Sequence, residues 1–331
     1  MTVPTPPILD VRNLTVRVTL ADGKRAKVVD GVSFDIPRGG ALGLVGESGS
    51  GKTMASLAII GLLPPATHVD DGEIYLEGED LLRKSPRELR ALRGKSMGMI
   101  LQDPLTALDP VFTIRSQLSE PLRQHRGLSG AALEDALVEA LERVHLPASQ
   151  DRLNQYPHQL SGGMRQRVIS AIALAGEPTL LIADEPTSAL DATTQAKYLG
   201  LLKELQQKTG FALLLIAHDL FVVRDVCERV IVMYSSQVVE EGLVDNVFSS
   251  PQHPYTRALL AAIPEIGETV ALEAIEGLPP DVSEEIVGCR FATRCPFVRE
   301  KCLAEPPKLT PRPDDRKARC WGTEPGGWIP Q

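Results

Sequence analysis

The sequence predicts an α/β fold built on an open, mostly parallel sheet covered by helices. Three observations carry this expectation. TLLIAD (179–184) and FALLLIAH (211–218) are near-continuous apolar runs that each end in a polar residue, the pattern of strands buried on both faces. Between them, TTQAKYLGLLKELQQKTG reads as a helix closed by Gly210, so strand, helix and strand follow one another as in a right-handed crossover. Upstream, ALGLVGESGSGKT runs an apolar strand into a glycine-rich turn, with MASLAIIGLL behind it as a helix. Sheets of this kind bind ligands at the carboxyl ends of their strands, which sets the polar residues that end these runs along one edge.

The remaining elements follow in order. Residues 8–20 and 26–36 read as strands joined by an Asp-Gly turn, a small antiparallel sheet at the start. Over 129–146, Leu133, Ala136, Leu137, Ala140, Leu141 and Val144 recur at helical spacing, with Ser129 as the cap. The stretch from about 105 to 162 reads as all-helical, a subdomain inserted between two α/β portions. From about 246 the character changes. Residues 264–288 hold seven acidic and no basic residues, and 289–331 hold nine Lys or Arg against five Asp or Glu, with many prolines. The expected organisation is a nucleotide-binding domain over 1–245, a linker with C-terminal helices over 246–288, and a cysteine-rich extension over 289–331.

Composition excludes several classes. The 331 residues are 43% apolar, ordinary for a globular protein and too apolar for disorder. A net charge of −8 argues against a general nucleic-acid binder. The longest apolar runs, such as LLLIA (213–217), fall far short of the roughly 20 residues that cross a bilayer. MTVPTPPILD lacks both the basic start and the apolar stretch of a signal peptide. The expectation is a cytosolic chain, in a compartment where thiols stay reduced.

The motif Gly46, Glu47, Ser48, Gly49, Ser50, Gly51, Lys52, Thr53 satisfies G-x-x-x-x-G-K-[ST] with a strand before it and a helix after it. Its glycines permit torsions that turn successive N–H groups inward as an anion nest, and the helix N-terminus adds positive potential. Lys52 would reach the β- and γ-phosphates of a nucleotide, and the Thr53 hydroxyl would hold Mg²⁺. Asp184, ending the LLIADE strand, would hold Mg²⁺ through water, and Glu185 next to it would polarise an attacking water. Gln102 in ILQDP can ligate Mg²⁺ and sense the nucleotide, and His218 can hydrogen-bond the γ-phosphate. Ser161, Gly162 and Gly163 of LSGGM open a helix as a second anion nest, more than 100 residues from the first. A head-to-tail dimer solves this separation, with LSGGM of one subunit closing over the nucleotide of the other.

In that order, GESGSGKT, the glutamine of ILQDP, LSGGM, LLIADE, SALD and IAHD resemble the ATP-binding cassette family over residues 8–245. The resemblance implies an ABC-type P-loop nucleotide-binding domain: a RecA-like core, an antiparallel β subdomain and a helical subdomain. It implies ATP with Mg²⁺, Glu185 as the catalytic carboxylate and His218 as a switch histidine. It also places Ser161, Gly162 and Gly163 on the partner's ATP and Asp191 across a dimer interface. LSGGMRQR, QDPLTALDP, GLLPP, PQHPYTRALLAAIP and the tail GCRFATRCPFVREKC are similar to the ATPase subunits of dipeptide and oligopeptide importers, the D type of a related pair. That branch implies a heterodimer with a second ATP-binding subunit, two transmembrane permease subunits and an extracytoplasmic solute-binding protein, with no nucleic acid. It places the chain peripherally on the cytoplasmic face of a bacterial inner membrane. Nickel, glutathione or another small solute is the alternative cargo, and a soluble non-transport ABC ATPase a further alternative. Two departures stand out. Residues 14–30 contain no aromatic to stack on adenine, Val18 taking the place, and SSQ (235–237) replaces a small-Gly-basic turn.

Four of the five cysteines fall in the tail, as Cys289-x5-Cys295-x6-Cys302-x17-Cys320. Four thiolates can ligate an iron–sulfur cluster or a tetrahedral zinc, and paired C-x2-C knuckles are absent. The importer resemblance implies a [4Fe-4S] cluster, with zinc or no metal as the alternatives. A small, proline-rich segment builds little core, and a metal would supply folding energy. Cys227 in RDVCERV reads as a buried small residue.

Overall fold

The computed structural model describes residues 6–262, 275–284 and 286–329. The chain begins with β1 (Leu9–Thr19), β2 (Arg25–Ile36), β3 (Ala41–Val45), α1 (Lys52–Ile60), β4 (Thr67–Leu76), β5 (Glu79–Asp80), α2 (Pro86–Leu92) and β6 (Met97–Ile100). There follow α3 (Pro104–Ala107), α4 (Ile114–Arg126), α5 (Gly130–Arg143), α6 (Gln150–Asn154), α7 (Gly162–Leu174), β7 (Leu180–Asp184), α8 (Ala192–Thr209) and β8 (Ala212–Ala217). The last third holds α9 (Leu220–Val226), β9 (Arg229–Tyr234), β10 (Gln237–Leu243), α10 (Val244–Ser249), α11 (Pro254–Ala261), α12 (Glu300–Ala304), β11 (Thr310–Arg312) and β12 (Arg316–Ala318). The contacts divide the chain into two units, and the division does not follow chain order.

The first unit takes the N-terminal residues to Asp10, Asp35–Ala41 and Tyr75–Ile216. Its sheet is parallel: β6 pairs with β7 from Met97↔Leu180 to Ile100↔Ala183, and β7 with β8 from Leu180↔Ala212 to Asp184↔Ile216. Every residue of β7 and of β8 is buried, which is why both read as unbroken apolar runs. The helices α4, α5 and α7 pack against one another, and Leu118, Leu122, Leu137, Leu141 and Val168 are buried on them. On α5 the buried side chains are Leu133, Ala136, Leu137 and Leu141, at the predicted spacing. The helix ends at Arg143 rather than 146, and Ser129 makes no capping bond. Gly130 enters that helix at φ 57°, so the first turn departs from the geometry in which a hydroxyl reaches the N3 amide. Helix α8 closes on left-handed Gly210, whose N–H donates to the Gln206 carbonyl.

The second unit takes Val11–Phe34, Leu42–Ile74 and Ala217 to the C-terminus. Here β3 pairs parallel with β9 from Leu42↔Arg229 to Val45↔Val232. Helix α9 packs close: a Cβ at Gly43 would lie 2.0 Å from Val223 Cγ1. Strands β9 and β10 form an antiparallel hairpin whose two turn residues, Ser235 and Ser236, have φ 42° and 71°. These are the torsions of the primed turns that fit strand twist, and serine adopts them here in place of glycine. Strands β1, β2 and β4 form the antiparallel sheet predicted at the start, in the order β2-β1-β4, and Val18 lies half-buried on β1. The tail is not a free-standing appendage. Strand β12 pairs with β10 through Glu240↔Ala318 and Glu241↔Lys317, and β11 pairs with β12. Residues 264–274 and 285 of the acidic stretch 264–288 lie outside the described residues.

Candidate functional site

The phosphate loop leaves β3 after Val45 and enters α1 at Lys52. Lys52 is buried and donates from Nζ to the carbonyls of Gly46 at 2.6 Å and Glu47 at 3.0 Å. Gly49 (φ 80°) and Gly51 (φ 100°) take left-handed torsions, and Gly51 is the N-cap of α1. Such torsions turn N–H groups toward a bound anion. Thr53 is exposed on the first turn of the helix.

Two residues far along the chain hold this loop. The Tyr255 hydroxyl accepts the Glu47 N–H at 2.8 Å. Arg294 donates through its two terminal nitrogens to the two Glu47 carboxylate oxygens at 2.8 and 3.1 Å. The rings of Tyr234, Tyr255 and Phe291 pack on one another with centroids 4.6 to 5.5 Å apart. The Arg294 guanidinium lies 5.7 Å from the Tyr234 centroid. Burial opposes the Arg294 charge, but hydrogen bonds to Glu47 and Tyr234 outweigh it and raise its pKa. Burial, reinforced by the Glu47 charge, raises that of Tyr255, which stays a neutral phenol.

In the first unit the carboxylates stand at the end of β7. Asp184 is 3% exposed. Glu185 has φ 43°, left-handed for a residue with a side chain, and its N–H is held by the Ile216 carbonyl at 3.0 Å. Such a backbone costs about 1–3 kcal/mol and clusters at functional sites. Gln102 follows β6, the neighbour of β7, and its Nε2 donates to Glu185 Oε2 at 2.7 Å. Ser188 Oγ reaches the carbonyls of both Glu185 and Gln102, at 3.1 and 3.4 Å. A carboxylate so oriented can take a proton from an attacking water.

The LSGGM segment starts α7, where the Ser161 hydroxyl accepts the Met164 N–H at 3.4 Å. Asp191 caps α8, accepting from the Thr194 N–H at 3.0 Å and its hydroxyl at 2.8 Å. These bonds, the backbone one first, lower the Asp191 pKa. Ser161, Gly162, Gly163 and Asp191 line one cavity of about 510 Å³. His218 is exposed directly after β8, one residue before Asp219 caps α9. The structure therefore brings Gln102 to Glu185, and Ser161–Gly163 to Asp191.

Cys289, Cys295, Cys302 and Cys320 line one cavity together with His253, Phe291, Trp321 and Trp328. The Cys289 N–H donates to the Cys302 carbonyl at 2.7 Å, tying two of the thiol positions through the backbone. Burial first, and then the neighbouring thiols, pushes Cys289 up to about 11 and Cys295 to about 12. As a donor set, four thiols suit iron–sulfur or zinc chemistry. As placed, however, no group of three or more His, Cys, Asp or Glu among the described residues is arranged to hold a metal ion. Cys227 is buried just after α9.

A family model described as "ABC transporter" matches residues 29–188. The dipeptide transport ATP-binding protein DppD of Bacillus subtilis is 46% identical over 316 residues, covering 95% of this chain and 94% of that protein. The chain belongs to the ABC transporter family. It is an ABC-type ATPase, and the likeness to DppD runs over 95% of the chain. The oligopeptide transport ATP-binding protein OppD of Bacillus subtilis is 43% identical, covering 96% of this chain and 89% of that protein. A second family model, "Oligopeptide/dipeptide transporter, C-terminal region", matches residues 239–302. The dimeric structure of the ATP-binding cassette MJ0796 bound to ADP and Pi is 30% identical with a TM-score of 0.63, covering 71% of this chain and 98% of that one. The cbiO1 structure from Clostridium perfringens gives 27% and 0.64, with 74% and 92% covered.

Sequence reasoning did not find Tyr255 and Arg294 as partners of the phosphate loop in this ABC chain. Tyr255 lies in PQHPYTRALL, which stood out by resemblance, and Arg294 in the cysteine-bearing tail, which stood out by composition and gave no hint of a contact with the loop. They lie 208 and 247 residues from Glu47, and no spacing rule spans such a distance.

Proposed function

We propose that this ATPase powers the uptake of di- or oligopeptides through a membrane complex. The observation that carries the reading is the joint match of the cassette and of residues 239–302 to peptide-transport ATP-binding subunits within one chain. The partners are a second, related ATP-binding subunit, two permease subunits and an extracytoplasmic solute-binding protein. Among the described residues no helix is long and apolar enough to cross a membrane. The likeness to transport ATP-binding proteins supports a peripheral place on the cytoplasmic face, docked to the permeases.

In this reading Gly46 to Thr53 cradle the phosphates, with Lys52 moving from the carbonyls of Gly46 and Glu47 to the β- and γ-phosphates. Thr53, Asp184 and Gln102 offer the hard oxygen donors that suit Mg²⁺, which when bound neutralises charge on the phosphate oxygens. Glu185 orients and deprotonates the attacking water, held in place by Gln102, and His218 contacts the γ-phosphate. Ser161, Gly162 and Gly163, with Asp191 beside them, close over the nucleotide of the partner subunit. Binding then clamps a dimer shut and hydrolysis reopens it. Cys289, Cys295, Cys302 and Cys320 hold a [4Fe-4S] cluster, or zinc, as a structural element; their shared cavity supports this, and the thiols must draw together around the metal.

The test is reconstitution with the permeases and binding protein of a peptide importer, in liposomes with a radiolabelled dipeptide. ATP-dependent accumulation of the dipeptide supports the reading. Uptake of nickel or glutathione with no peptide uptake would replace the cargo, and failure to associate with any permease would sink the transport assignment.

A further inference from the structure

The segment that carries the cysteines also grips the nucleotide loop. Arg294 stands in a short helical turn, Ala292–Arg294, directly before Cys295. Its side chain is 4% exposed, and the Glu47 side chain is 25% exposed. Besides the fork onto Glu47, Arg294 donates to the Tyr234 hydroxyl at 3.2 Å and to the carbonyls of Glu276 and Ile275 at 3.0 and 3.2 Å. Its donors are thus spent on three separate parts of the second unit. Four residues earlier, Arg290 reaches Asp30 and the Ser235 carbonyl in the same manner.

Glu47 is a poor residue to leave alone in this loop. Its carbonyl is one of the two that hold the Lys52 ammonium, and its carboxylate belongs to the stretch that must receive a polyanion. A bidentate guanidinium neutralises that carboxylate and fixes its direction. The Tyr255 hydroxyl fixes the main chain of the same residue from the other side. Main-chain and side-chain grips on one residue preset both the nest and the anchors of Lys52, so less ordering remains when nucleotide binds.

We propose that Arg294 is a positioning residue for the phosphate loop: it holds and neutralises Glu47, and through it the folded cysteine segment sets the affinity for nucleotide. This rests on reading residues 46–53 as the ATP site. It assigns the tail a part in nucleotide binding, beyond that of a structural element. A carboxylate stripped of its buried guanidinium is costly to keep near phosphates, and a charged hydrogen bond of this kind corresponds to roughly tenfold or more in binding.

The experiment is a double-mutant cycle on the full-length chain, prepared anaerobically and titrated calorimetrically with MgATP. Arg294→Gln is expected to weaken MgATP binding by roughly tenfold, with kcat of the assembled complex much less affected than KM. Glu47→Gln removes the stranded charge, so the Glu47→Gln/Arg294→Gln double variant should bind more tightly than Arg294→Gln alone, a rescue that a merely structural arginine would not show. Parental affinity in Arg294→Gln, or a double variant no better than the single, overturns the proposal. Arg294→Met removes both charge and fork while keeping an apolar stem in the buried site; it covers the case in which the glutamine variant does not fold, and parental affinity there overturns the proposal equally. Lys52→Ala runs beside them. Loss of binding in that variant with none in the Arg294 variants sinks the clamp alone, whereas binding that survives Lys52→Ala sinks the nucleotide-site reading as well.

Discussion

Alanine at Gly46 tests how tightly the phosphate loop is built. A Cβ there would lie 2.1 Å from the Met233 carbonyl oxygen and 2.8 Å from Ser50 Oγ. Contacts under 3.0 Å do not persist, so one side must give by about 1 Å. Met233 is fixed in β9, paired with Val238 across the hairpin, so the loop moves. A displacement of that size at a binding constellation costs on the order of 100-fold. Gly49 provides the contrast. Its φ of 80° strains any side chain, yet a Cβ there meets nothing within 4 Å. Alanine at Gly49 pays only the left-handed torsion, about 1–2 kcal/mol, or roughly 5–30-fold if all of it falls on binding. Calorimetric titration with MgATP should therefore rank parent above Gly49→Ala and Gly49→Ala above Gly46→Ala. An affinity within threefold of parent for Gly46→Ala, or the reverse ranking, would refute the reasoning.

Three further outcomes follow from the geometry. Glu185→Gln keeps a side-chain oxygen for Gln102 but loses its basicity, so turnover should fall by about 10²–10⁴-fold with MgATP binding retained; undiminished steady-state hydrolysis would remove Glu185 from its role. Asp30 is half-buried beside Arg290, and although burial raises its pKa, the bonds from Lys27 and Gln237 and the Arg290 charge bring it below the usual 3.8. A carboxyl depressed in the fold stabilises fully above about pH 4, and that contribution fades as pH drops through its lowered value; the gap in melting temperature between parent and Asp30→Asn should accordingly narrow from about pH 5 to pH 3. Cys302→Ser should lower the iron or zinc content of anaerobically purified protein and its melting temperature together, and a parent free of both metals by elemental analysis would end the metal reading.

Much of this molecule is legible in the sequence because its elements are local. The apolar runs of β7 and β8, the glycine spacing of the phosphate loop and the left-handed close of α8 at Gly210 each depend on residues within a few positions of one another. Burial periodicity and turn torsions are written there directly. Even so, a local signal misled at Ser129, where the hydroxyl belongs to a good capping residue and Gly130 sets a backbone that does not use it.

What tertiary structure alone decided are the meetings of distant residues. Gln102 meets Glu185 across 83 residues because β6 and β7 lie in parallel register. The cysteine segment, which composition set apart as an appendage, joins β10 through β12 and reaches Glu47 through Arg294. Periodicity reports which face of an element is buried, but not which distant side chain will fill the space opposite. That choice is made only when the whole chain has packed and each buried charge has found its counterpart.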